Sequence, residues 1–296
     1  MVPTEGATRP ELFVFLGGTG GNCGNHKWVT LMAATVGYRA LCLSYVNDPS
    51  SLDYCISDMV TSPTTSCSND FRRENIYGED TSDRLQIGPR NSIVGRLKAL
   101  IGNVAESEPD LGFEAYLNGD DIAWDKIFIS GFSQGGGNAG ILSQDHEVAR
   151  ALFLSKGIGP SFHVLDGSCT HCADECPSSE AEVCQSGYCV RIEPAAYYTE
   201  PRATPASRSF GFVHQLEDAM FQNPDAWVQW GMDLCGGLTS VEDFPDDYRC
   251  SHMLMTRAEP AGDSYHPSMA SDGATAKDAE GMPLNQRVYM YLMTKE

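Results

Sequence analysis

The stretch that most narrows what this chain can fold into is Lys126-Ile-Phe-Ile-Ser-Gly-Phe-Ser-Gln-Gly-Gly-Gly. An apolar β-like run, Ile127 to Ser130, feeds into Gly131-Phe132-Ser133-Gln134-Gly135, and a helix-competent segment follows from Asn138. Such a strand must turn sharply into its helix, which strains the backbone at Ser133 and lifts its hydroxyl clear of the sheet. Glycines on either side are required because a Cβ there would collide with the crossing strand and helix. The new helix N-terminus aims free N–H groups at any anion that forms beside the serine. The plainer alternative is an ordinary strand-to-helix turn with a hydrogen-bonding serine.

The rest of the chain supplies a matching frame. Apolar runs alternate with helical patterns almost throughout, which predicts an α/β fold with a mostly parallel sheet covered on both faces. Expected strands are Glu11 to Leu16, Arg39 to Val46, Ile127 to Ser130, Arg150 to Ser155, Ser209 to His214 and His252 to Thr256. Expected helices are Trp28 to Val36, Ser92 to Ala105, the segment after Ser133, Ala226 to Met232 and Leu284 to Met293. The polar section Asn47 to Arg90 reads as a loop. From about Gly159 to Ser207 the alternation breaks, so residues 159–207 read as a cysteine-rich insertion within a single domain spanning 9–296. Residues 1–8 read as a short tail; they lack the apolar core of a signal peptide, as expected if a leader has been removed.

Composition excludes several function classes. The 296 residues carry 40 acidic against 20 basic side chains, a net charge of −20, and nucleic-acid phosphates would be repelled. No run approaches the roughly 18 apolar residues of a membrane span. Eleven cysteines point to an oxidising compartment. Cys55 with Cys67, and Cys235 with Cys250, bracket loops and read as disulfide pairs. Cys169, Cys172, Cys176, Cys184 and Cys189 form a cluster for which disulfides are favoured over zinc, because Cys-x-x-Cys lacks a second pair at matching spacing. Cys42, inside an apolar run, reads as a free buried thiol.

A serine hydroxyl is a weak nucleophile until a base takes its proton, and the base needs an acid to orient it. In a fold of this kind the chain order is serine, then acid, then histidine. Two carboxylates appear together at the end of the strand Ser209 to His214; Asp218 is preferred over Glu217 as the shorter one on the following turn. Helix capping is the plainer role for both. Of seven histidines, His266 lies after the last strand and before the closing helix, where the base belongs. His214 reads as a packed neighbour of the acid, and His26 as a residue bordering the pocket. The developing oxyanion needs backbone donors; these are expected from Gln134, directly after the serine, and from Thr19 in Gly17-Gly18-Thr19-Gly20-Gly21. That loop lacks the lysine of a phosphate-binding loop, and Cys23 interrupts the glycine pattern of a dinucleotide site. Trp227, Trp230 and Tyr265 lie near these motifs, the tryptophans at helical spacing that suits a core.

In these motifs the chain resembles the α/β-hydrolase superfamily across roughly residues 11 to 293. Phe15-Leu-Gly-Gly-Thr-Gly-Gly21 resembles its oxyanion loop, with Gly17 where many members carry histidine. Gly131-Phe-Ser-Gln-Gly135 resembles the elbow of carboxylesterases, acyl-protein thioesterases and, with tyrosine for Phe132, cutinases. The resemblance implies a secreted serine hydrolase of carboxylic esters, small or polymeric, that works through an acyl-enzyme without metal or organic cofactor. It also implies that an excursion before the acid strand serves as a lid. A peptidase or acyltransferase with the same triad is the alternative within enzymes; a binding module on a hydrolase scaffold is the alternative outside them.

Overall fold

The structure is a computed structural model that describes all residues except 4–5, 52, 56–57, 59–65, 157–159, 169–181, 186–187, 195–199, 218–221, 263 and 296, with only the backbone along the strands between 160 and 194 and at 222–223. Ten apolar or half-apolar segments become strands of two larger sheets. The main sheet holds β1 (Leu12–Leu16), β2 (Arg39–Leu43), β5 (Ile127–Phe132), β6 (Arg150–Leu154), β10 (Ser209–His214), β11 (Leu238–Ser240) and β12 (Met253–Thr256), in the order β11-β12-β10-β6-β5-β1-β2. Every pairing in it is parallel. A hairpin of β3 (Leu117–Asn118) and β4 (Asp121–Ile122) and the strand β11 lay outside the sequence expectations.

Alternation along β1 explains why the sheet is buried on both faces. Leu12, Val14 and Leu16 point into one core and Phe13 and Phe15 into the other, and β5 repeats this with Ile127 and Ile129 against Phe128. Successive side chains of a strand project to opposite faces, so an unbroken apolar run needs a covering layer on each. The first layer includes α3 (Ile93–Ser107), whose Ile93, Leu97 and Ile101 recur at one face of the helix, together with Trp227 of α5 (Gln222–Gln229). The second is α1 (Lys27–Thr35) and the closing helix α7 (Gln286–Thr294). Trp227 lies fully buried against Gly211: a Cβ on that glycine would come within 2.6 Å of the indole.

Two expectations need correction. The section read as a loop contains a helix, α2 (Cys67–Tyr77); its apolar signal is weak because Phe71 and Ile76 are buried beside the polar Ser68, Arg72, Glu74 and Asn75. Cys42 is not a free thiol but is bonded to Cys23, joining the segment after the glycine-rich loop to β2. The Cys55–Cys67 and Cys235–Cys250 disulfides are as expected. Within the insertion, β7 (Pro160–Ser168), β8 (Glu182–Gln185) and β9 (Tyr188–Pro194) form an antiparallel sheet of their own, order β7-β9-β8. Cys169, Cys172 and Cys176 lie outside the described residues, as do the side chains of Cys184 and Cys189. No described helix is long and apolar enough to cross a membrane.

From β1 the chain runs to β2 on one side and then returns to β5 on the other. The helices that follow β1 and β5 therefore pack on opposite faces of the sheet, Val29, Met32 and Ala33 on one and Ala139, Ile141 and Leu142 on the other, which makes this the switch point of the sheet. The turn after β5 is closed by glycine: a Cβ on Gly131 would run into the Gly135 carbonyl, and one on Gly135 into the carbonyls of Leu16 and Gly17. Gly131→Ala should therefore destabilise the protein by about 3 kcal/mol, the upper range for overpacking. A thermal or urea melt checks this; an unchanged midpoint would contradict the close approach.

Candidate active site

Ser133 sits between β5 and α4 (Gln134–Asp145) with φ 53° and ψ −121°. A non-glycine residue adopts this conformation only where its surroundings over-determine it, at a cost of about 1–3 kcal/mol. Those surroundings are the Ser133 N–H donating to the Leu154 carbonyl at 3.0 Å and the Gly137 N–H donating to the Ser133 carbonyl at 3.1 Å. The serine is partly exposed, while Phe132 and Gln134 on either side are buried. With the first intrahelical bond arriving at Gly137, the preceding N–H groups of α4 point outward, free of that ladder.

The glycine-rich loop lies directly against the serine. A Cβ on Gly18 would stand 3.0 Å from the Ser133 Cβ and 2.9 Å from the Phe132 ring, so only bare backbone fits. The Thr19 hydroxyl donates to Gln134 Oε1 at 3.4 Å, which brings the two expected oxyanion residues into contact. The same Oε1 accepts from the Ser51 N–H at 3.2 Å. The loop is tied down by residues that motif reading missed. Asn47 Nδ2 donates to the Gly18 and Gly21 carbonyls at 2.7 and 2.6 Å, the Gly20 N–H donates back to the Asn47 carbonyl, and the Tyr45 hydroxyl donates to the Gly17 carbonyl at 2.6 Å. Burial raises the Tyr45 phenol above its ordinary range, so it remains a donor. His26 is buried; its Nδ1 donates to the Ala270 carbonyl at 3.0 Å and its ring packs on Phe15 and Phe132.

On the far side, His266 is the second residue of α6 (Tyr265–Ser268), and its ring lies 4.8 Å from that of Phe132, the residue before the serine. Its Nδ1 faces the carboxylate of Glu217, 3.3 Å from Oε2. A carboxylate can only accept, so Nδ1 carries a proton, and in the neutral ring Nε2 is then the nitrogen with the lone pair. The Glu217 side chain is fully buried and that of His266 is 37% exposed. Ser155, at the end of β6 with φ 50°, donates from its hydroxyl to the same Glu217 Oε2 at 2.5 Å. Asp218, the carboxylate preferred on sequence, lies outside the described residues; the acid that His266 meets is its neighbour. The longer side chain suits this position because Glu217 sits on a turn, its N–H on the His214 carbonyl at 3.3 Å, and reaches back under the histidine.

His214 holds this arrangement from behind. The Leu216 N–H donates to its Nδ1 at 3.0 Å, which leaves Nε2 to donate to the Ala258 carbonyl at 3.1 Å, and the ring stacks on Tyr265 at 4.6 Å. One signal was available for Ser155 and Asn47: Ser155 is the polar residue that ends the run Arg150 to Ser155, and Asn47 directly follows the run Arg39 to Val46. Nothing in the sequence singled out Gln134 for its side chain as well as its N–H.

Among the described residues there is no group of three or more metal-ligating side chains. No family model matches the chain, and no curated protein matches it either.

Proposed function

We propose that the protein is a serine hydrolase of the α/β-hydrolase kind, cleaving carboxylic esters through an acyl-enzyme. The observation that carries this is the buried Glu217 carboxylate on Nδ1 of His266, with that imidazole packed on Phe132 next to a strained, partly exposed Ser133. Glu217 takes the role that Asp218 was expected to fill. The Nε2 lone pair removes the Ser133 proton as Oγ attacks the acyl carbonyl. The imidazolium that results is held by Glu217, whose charge Ser155 anchors, and returns the proton to the departing alkoxide. The oxyanion is met by N–H groups of Gln134 and of the loop at Thr19. Water then repeats the sequence on the acyl group and frees Ser133. Disulfides Cys23–Cys42, Cys55–Cys67 and Cys235–Cys250 support a secreted protein.

A fluorophosphonate probe should label the wild-type chain at Ser133, read by mass spectrometry of the labelled peptide. p-Nitrophenyl acyl esters should be hydrolysed faster than peptide anilides. Absence of labelling at Ser133 would sink the hydrolase reading, and anilide turnover exceeding ester turnover would make it a peptidase.

A further inference from the structure

The first turn of α4 is three glycines long after Gln134, and two of them lie against basic residues, one against the stem of a lysine and one against a guanidinium. A Cβ on Gly136 would lie 2.8 Å from the Cβ of Lys156, and one on Gly137 would lie 2.6 Å from Arg72 Nη1. Arg72, of α2, is 3% exposed. It donates from Nη1 to the Gln134 carbonyl at 3.1 Å and to Asn138 Oδ1 at 2.9 Å, while its Nε is buried with no partner. Among the described residues no carboxylate forms an ion pair with it. Lys156 leaves the end of β6 one residue after Ser155, partly buried, and its ammonium has no hydrogen bond or ion pair among the described residues. The side chain of Gln134, 4% exposed, uses its oxygen on Thr19 and Ser51 and has an Nε2 with no acceptor.

Electrostatically this is the wrong way round for a resting helix. The N-terminus of α4 already carries the positive end of the helix dipole, where cations are unfavourable and anions favourable. Burial, followed by the charge of Arg72, pushes the Lys156 ammonium down to about 8, with Glu217 alone opposing them. Buried donors in native proteins are satisfied as a rule, and a buried guanidinium without a carboxylate is costly. What these groups lack in common is an acceptor carrying negative charge.

We propose that the site takes esters bearing a carboxylate away from the scissile bond, received by Arg72, Lys156 and the Gln134 amide. The proposal rests on the ester-hydrolase reading and adds the charge of the substrate to it. The protein's net −20 charge acts weakly at this turn, because exposed charges are screened beyond about 10 Å.

The test compares p-nitrophenyl monoesters of adipic and suberic acids with neutral acyl esters of matched length. For the wild type, kcat/KM should favour the anionic member by at least about tenfold, the scale of one hydrogen bond to a charged group. Lys156→Met should collapse that ratio, and Arg72→Gln should lower it if the variant folds, as judged by its melt. The ratio should fall as pH rises through about 8, where the lysine loses its charge; the charged groups facing it are Arg72 and Glu217, and Lys156→Arg should hold the ratio to higher pH. Equal or better turnover of the neutral esters by the wild type would overturn the proposal while leaving the hydrolase intact. An unchanged ratio in Lys156→Met would overturn it too. Failure of both ester series together with failed labelling of Ser133 would instead remove the hydrolase reading beneath it.

Discussion

Ser133→Ala is expected to lower kcat on p-nitrophenyl esters by about three to six orders of magnitude, the loss seen when a triad nucleophile is removed. KM should change little, because the Gln134 and Thr19 backbone groups proposed to meet the oxyanion stay in place. The fold should survive, since alanine keeps the Cβ that packs on Gly18. A companion variant separates chemistry from strain. Ser133→Gly should be equally inactive yet more stable, by about 1 kcal/mol, because glycine relieves the φ of 53° that a side chain resists. Pre-steady-state turnover and thermal melts on the pair read these effects independently. Residual ester hydrolysis above a few per cent in either variant would mean that another group attacks the carbonyl.

Glu217→Gln should cost about 10⁴ in kcat, the penalty for leaving the geometry but misassigning the imidazole tautomer. The neutral amide can present its N–H₂ to His266, which then carries its proton on Nε2 and cannot accept from Ser133. The fully buried position of this side chain denies it water as a substitute partner. Ser155→Ala should weaken activity less, since it removes one donor from the carboxylate and leaves the carboxylate itself on the histidine. Asp218→Asn should leave kcat/KM nearly unchanged. That contrast decides which of two adjacent acids works: a large loss at Asp218 with a small one at Glu217 would reverse the assignment.

Much of this arrangement was legible in the sequence because it rests on local patterns. Runs such as Leu12 to Leu16 and Ile127 to Phe132 are too apolar for a half-exposed strand, and their alternation filled both cores as expected. Gly131 and Gly135 announce a close crossing wherever they occur beside such a run. That His266 would meet an acid was legible from its place after β12. What stayed hidden depends on long-range packing. Glu217 and Asp218 differ by one residue on a turn, and only the direction of that turn decides which carboxylate returns to the histidine. Asn47, Ser155 and Arg72 act through side chains that meet the site across 26 or more residues of sequence, so no spacing rule finds them. Helix α2 escaped for a different reason: Phe71 and Ile76 are buried among Ser68, Arg72, Glu74 and Asn75, and a hidden face so mixed leaves no continuous apolar stripe to read. Cys42 misled because its apolar neighbours suit a buried thiol as well as a disulfide.

The three bare residues that open α4 fix where selectivity can be tuned. Each position is occupied from outside, by the carbonyls of β1's end, by Lys156 and by Arg72, so no mutation there can add a recognition group without evicting a neighbour. Adaptation to a new acyl group must therefore come from the donors of those intrusions, the segments that follow β2 and β6. A laboratory evolution campaign confined to those two segments should shift substrate choice, while randomising the glycines should return mostly unfolded chains.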